Sequence, residues 1–150
     1  MNLANYRNLN ISTDFAEEPA FFGIGIAIFQ LKVNKDRYKH ELFDKRWAQF
    51  ISIRDFIGHV FSHGKMEKEE EYKILINTQG SIFLFDQEIK SYISELTKKA
   101  WYLNTLNEEL SLISDQAARK KNIEKQREIK NWFENQISEI EKKFNKYIKL

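Results

Sequence analysis

No cysteine occurs in the 150 residues. That absence excludes a disulfide framework, a thiolate nucleophile and a Cys-based zinc site, and it is compatible with a reducing compartment. A single proline and five glycines leave little punctuation, which favours long helices over a turn-rich β fold. No sign of charge dominates. The 24 Lys and Arg residues are nearly balanced by 22 Asp and Glu, and a net charge of +2 falls short of the excess carried by a dedicated nucleic-acid binder. The apolar run Ala20–Phe29 (AFFGIGIAIF) is too short to span a bilayer. As a helix it would cover roughly 15 Å, about half the hydrocarbon core. There is no Gly-rich phosphate loop, no G-x-S-x-G elbow and no Rossmann fingerprint.

The residues ahead of that run lack the layout of a secretory leader. Met1–Pro19 contains one basic residue, Arg7, and three acids close to the run, Asp14, Glu17 and Glu18. A leader would place a basic region first and end on a small-residue cleavage site. The expected location is therefore the cytoplasm, with the inner face of a membrane as the site of any contact with lipid.

What is present is helical periodicity. Gln30–His63 reads as one long amphipathic helix fed directly by Ala20–Phe29. Leu42, Phe43, Trp47, Phe50, Ile51, Ile57, Val60 and Phe61 recur at spacings of three and four and define one face. Gly64 reads as the stop, with His63 at the negative end of the helix dipole. Pro19 fits a first turn, and Thr13 or Asp14 could cap it. The alternation Ile24-Ile26-Ile28 with Gly23 and Gly25 leaves a strand open for the apolar run. Met1–Ser12 is polar and Asn-rich, the composition of a poorly ordered terminus.

A second helix is expected over Glu67–Asn77, with Tyr72, Leu75 and Ile76 as its apolar face. A short buried segment, Ile82–Phe85, follows. Asp86 reads as an N-cap for a third helix over Gln87–Ile113, whose core side carries Ile89, Ile93, Leu96, Ala100, Leu103, Leu106 and Leu110. Ser114-Asp115 breaks that helix and caps a fourth. Ala117–Lys130 is strongly polar and reads as solvated. Ile129, Phe133, Ile137, Ile140, Phe144, Tyr147 and Ile148 then form a stripe close to a heptad seam. The fold class is all-α: an irregular antiparallel helical bundle with a long first helix preceded by a short apolar segment. It forms one domain over residues 1–150, with 1–18 poorly ordered and 20–29 serving as an anchor or assembly segment.

Candidate chemistry is sparse. Arg54-Asp55-Phe56-Ile57-Gly58-His59 has R-x4-H spacing and is similar to the signature of HEPN ribonucleases. That resemblance implies a helical, metal-independent nuclease in which Arg54 would stabilise phosphate charge and His59 would handle a proton or orient the ribose hydroxyl. Five residues at about 100° each separate the two side chains by roughly 140° around a helix, so convergence needs a helix end or a dimer. The plain reading is a solvated Arg54 and a partly buried structural His59. His59 and His63 share a face at i, i+4, but a zinc site would need Glu67 or Glu70 as a third ligand, and no metal or other cofactor is expected. Asp36, His40 and Asp44, with Lys35, Lys39 and Lys45 beside them, read as solvent-facing pairs. Arg119, Lys120, Lys121, Lys125 and Arg127 make a local basic patch that could meet phosphate or anionic lipid, interrupted by Glu124 and Glu128.

Two further blocks carry a second resemblance. Leu42-Phe43-Asp44-Lys45-Arg46-Trp47, and later Phe83-Leu84-Phe85, Glu88-Ile89, Tyr92-Ile93 and Glu95-Leu96, resemble a group of uncharacterised bacterial helical proteins. Members of that group carry an N-terminal membrane helix, a basic connector and an LFDKR element. The resemblance covers about Leu31–Leu103 and implies architecture rather than activity; here the apolar run is shorter than a full span. The functional expectation is a helical interaction protein, self-associating or membrane-peripheral, with no catalytic activity of its own. Its partner would be a second copy, another protein or a membrane surface, and the contact surfaces would be the apolar segment, with Phe21, Phe22, Ile24, Ile26, Ile28 and Phe29, and the C-terminal Ile/Phe stripe. The competing expectation is a HEPN-like protein that binds or cleaves RNA, an accessory of a bacterial defence system.

Overall fold

A computed structural model describes residues 18–149, with side chains from residue 23 onward. Among the described residues all regular structure is helical: α1 (Glu18–His63), α2 (Lys68–Thr78), α3 (Ser81–Leu84), α4 (Gln87–Leu112) and α5 (Gln116–Phe144). The apolar run is therefore not a separate element ahead of the long helix. It forms the opening turns of α1, and Pro19 sits at its second residue, where a missing N–H leaves no helical bond unmade. The proposed cap at Thr13 or Asp14 and the order of residues 1–17 lie outside the described residues. The chain divides into two compact units, Met1–Tyr38 and Lys39–Leu150, with the boundary inside α1. The described part of the first unit is a single stretch of helix.

The second unit is an all-α bundle. From Lys39, α1 runs to Gly64, whose φ of 65° provides the left-handed residue that ends it. The chain then returns along α1 through α2 and α3. Asn77 donates to the Ser52 hydroxyl at 3.0 Å, and the Arg46 guanidinium donates to the Leu84 carbonyl at 3.1 Å. Asp86 caps α4 by accepting from the Glu88 and Ile89 amides, and Asp115 caps α5 by accepting from Ala118. α5 runs antiparallel to α4, so Asn122 near its start meets Leu106 and Lys146 past its end meets Asp86. The turn after α1 is clamped by α4. Asn104 accepts from the Met66 amide at 2.8 Å and donates to the Met66 carbonyl at 2.6 Å, and Asn107 donates to the Gly64 carbonyl.

The core lies among α1, α4 and α5, with Ile53, Phe56, Ile57, Val60, Ile89, Leu96, Leu103, Phe133, Ile140 and Phe144 buried. Phe144 is the aromatic hub, with Phe50 at 5.5 Å and Phe85 edge-on at 5.1 Å. Several expectations need correction. The buried face of α2 is Ile74 and Thr78, whereas Tyr72, Leu75 and Ile76 are exposed, because a short helix on the outside of the bundle buries only a narrow stripe. Ile82 and Phe83 are also exposed, Phe83 at 87%. A single helical turn can aim only one side at the core; that side is taken by Ser81 and Leu84, and the buried Phe85 follows the turn in extended conformation. Trp47, Phe61 and Ile137 are exposed more than a third, at the rims of their faces. The polar stretch of α5 is not wholly solvated. Asn122 and Gln126 are buried and bonded to one another, Gln126 donating to Asn122 at 2.8 Å, while Asn122 in turn reaches α4.

Candidate functional site

The strongest departure from ordinary globular packing lies in the first unit. Ile24, Ile26, Ile28, Phe29, Leu31 and Val33 are all exposed, and none of the six forms part of the core. At about 100° per residue they fall on two opposite sides of the helix, Ile24, Ile28 and Leu31 on one and Ile26, Phe29 and Val33 on the other, rather than along one stripe. The first polar residues after the apolar run are Gln30 and Lys32, and Lys35, Arg37 and Lys39 follow, with Asp36 among them and Glu41 beyond. Phe21 and Phe22, expected to belong to the same contact, have side chains outside the described residues. No helix among the described residues is long and apolar enough to cross a membrane.

Arg54 and His59 do not converge within the chain. His59 lines a groove of about 500 Å³ between α1 and α2, shared with Ser52, Asp55, Glu70, Lys73 and Asn77. Arg54 lines another groove, of about 490 Å³, with Trp47, Glu141, Lys142 and Asn145. The wide angle between the two positions on α1 aims them at different neighbours, so one phosphate could meet both only if a second chain supplied one of them. Arg54 lies 3.4 Å from Asp55 and is half exposed. The His59 ring stacks on His63 with centroids 4.2 Å apart, and its Nε2 is buried without a hydrogen-bond partner. Comparison with protein-family models, with curated proteins and with solved structures found no match.

The polar groups around the two histidines are occupied by one another. Glu67 turns to Lys65 at 3.0 Å, and that ammonium holds its carboxyl below the usual range. Glu70 and Glu69 hold the Lys73 ammonium at 2.9 and 3.0 Å and raise its pKa. No group of three His, Asp or Glu residues that could hold a metal ion occurs among the described residues. Asp36, His40 and Asp44 are exposed, as expected of solvated helix positions.

The basic patch is divided by the structure. Arg119 donates to the Leu110 and Ile113 carbonyls at 2.8 and 3.2 Å, closing the C-terminal end of α4, so it serves the fold. Arg119 nevertheless lines a shallow groove together with Lys120, Arg127, Ile123 and Glu124, while Lys121 and Lys125 stand exposed outside it. Periodicity gives no hint of the α4 asparagine clamp or of the role of Arg46. Arg46 reaches the Leu84 carbonyl and, at 3.5 Å, the Tyr147 carbonyl, tying together both chain segments at that end of the bundle. Only the adjacency of two polar residues, Asn104 and Asn107, to an apolar helical face could have flagged the clamp.

Proposed function

We propose that this chain is a membrane-peripheral helical interaction protein, in which the apolar start of α1 enters the surface layer of an anionic membrane and the bundle is a folded head without catalytic chemistry of its own. The observation that carries this reading is the exposure of Ile24, Ile26, Ile28, Phe29, Leu31 and Val33 on two opposite sides of one helix. A single protein groove covers one stripe of a helix, whereas an apolar medium covers all of it. The charge pattern supports the same medium. Lys32, Lys35, Arg37 and Lys39 follow the apolar residues directly, and each basic residue close to an anionic leaflet contributes about 1 kcal/mol of attraction. The run falls short of a span, so the reading is insertion into one leaflet at the inner face of a membrane.

The test is flotation of the full chain with vesicles of phosphatidylcholine alone or mixed with phosphatidylglycerol. Binding is expected and should be stronger on the anionic vesicles. Replacing both Ile26 and Phe29 by Glu removes two apolar side chains worth about 2 kcal/mol each, so partitioning should fall by about a thousandfold. A chain that stays off both vesicle types, or a double variant that floats as well as the parent, refutes the reading.

A further inference from the structure

From the arrangement of the first unit we infer that α1 also associates with α1 of a second copy, parallel and in register, along the line Ile24, Ile28, Leu31, Lys35 and Tyr38. This rests on the preceding reading only in taking the start of α1 as a contact element. The steps between these residues are four, three, four and three, the 3.5-residue spacing that keeps one line of side chains facing a partner helix. The four apolar members are each between 58% and 69% exposed, and Lys35 is exposed. The line continues past the apolar run. Between Asn34 and Glu41, Tyr38 is the sole apolar residue, and it falls on this line. A lipid medium places no such demand on a charged stretch, but a helical partner does.

The same geometry sorts the remaining apolar residues. Ile26, Phe29 and Val33 fall on the outer side and remain for lipid. Gly25 and Ala27 flank the line where two backbones would approach. An added Cβ at Gly25 meets nothing within 4 Å, so no contact among the described residues requires glycine there, although a helix disfavours glycine relative to alanine. Close approach by a helix from outside the chain would require it. The uneven polarity of the line sets direction and register. An antiparallel partner would lay Ile24 against Tyr38 and Lys35. A parallel partner shifted by one heptad would lay Ile28 against Lys35. In the parallel in-register pair apolar meets apolar, and the single lysine position faces its own copy, a device that fixes register while weakening the pair.

Because the chain has no cysteine, single cysteines can be scanned without background. The full chain carrying Ile28→Cys, Leu31→Cys or Tyr38→Cys, mixed with anionic vesicles and exposed to mild oxidant, should form disulfide-linked dimers several-fold faster than Ile26→Cys or Val33→Cys. Lys35→Leu should tighten association of the full chain in detergent micelles by about tenfold or more. Equal cross-linking on both sides, or none along the line, overturns the inference, and so does a Lys35→Leu chain that associates no better. Flotation of the same cysteine variants separates the two readings. Chains that float without cross-linking along the line sink self-association alone; chains that cross-link along it without floating sink the lipid reading alone. Circular dichroism of each variant verifies that the bundle is folded.

Discussion

Replacing Asn104 by Ala tests whether the turn between α1 and α2 is held by one side chain. Asn104 closes two hydrogen bonds with the Met66 backbone, at 2.8 and 2.6 Å. Met66 is 4% exposed, so water reaches its amide and carbonyl poorly once the amide side chain is gone. At about 0.5–1.5 kcal/mol for each bond, the loss is about 1–3 kcal/mol. Alanine recovers about 0.6 kcal/mol of helix propensity over asparagine, leaving a net destabilisation of about 1–2 kcal/mol. Urea unfolding followed at the helical dichroism band reads this as a lower midpoint with an unchanged slope. Asn104→Asp keeps the acceptor for the Met66 amide but sets a carboxylate oxygen against the Met66 carbonyl that Asn104 bonds at 2.6 Å, so its midpoint should fall at or below that of the alanine variant. A loss under about 0.5 kcal/mol in the alanine variant would mean that water replaces the clamp and that the turn is set by Gly64 alone.

Other perturbations probe separate parts of the bundle. Gly64→Ala forces a side chain onto a backbone with φ of 65° and should cost about 1–2 kcal/mol, whereas Gly58→Ala, in open helix, should stabilise by about 0.5–1 kcal/mol; paired thermal melts check both. Tyr92→Phe removes a buried hydroxyl with no partner in the bundle and should be neutral or stabilising in urea; a clear loss would show that the hydroxyl is satisfied in solution. The Tyr147 hydroxyl, close to Asp86 without closing a full hydrogen bond, and the Lys146 ammonium at 2.9 Å hold the Asp86 carboxyl down to about 2. A carboxyl depressed on folding stabilises above its ordinary pKa and loses that contribution as pH falls. The stability difference between the parent and Asp86→Asn, which retains the cap acceptor, should therefore shrink between pH of about 4 and 2. A difference that is constant across that window would deny the ion pair any role.

The helical class and most boundaries were legible because they rest on local chemistry. Asp86 and Asp115 cap the helices they precede, and Gly64 ends α1 with the positive φ that glycine adopts freely. The core side of α4, from Ile89 to Leu106, follows directly from the 3.6-residue period. Periodicity was least informative where an element is short or packs on one side only. It assigned Tyr72, Leu75 and Ile76 to the interior, whereas the packed helix buries Ile74 instead. It also missed Asn122 and Gln126, since burial of polar residues depends on a partner brought from elsewhere in the chain, here the Leu106 carbonyl.

The candidate site divides along the same line. Sequence alone determined that Ala20–Phe29 is an apolar run too short to span a bilayer, with basic residues beyond it, because composition and length are properties of the chain itself. It also fixed the wide angle between Arg54 and His59. Only the tertiary structure decided that those two residues serve different grooves, that Arg119 closes α4, and that Ile24, Ile26, Ile28 and Phe29 stand exposed on a helix. The physical reason is that a side chain's role depends on what lies across from it, and for contacts between distant segments the local sequence does not specify that neighbour.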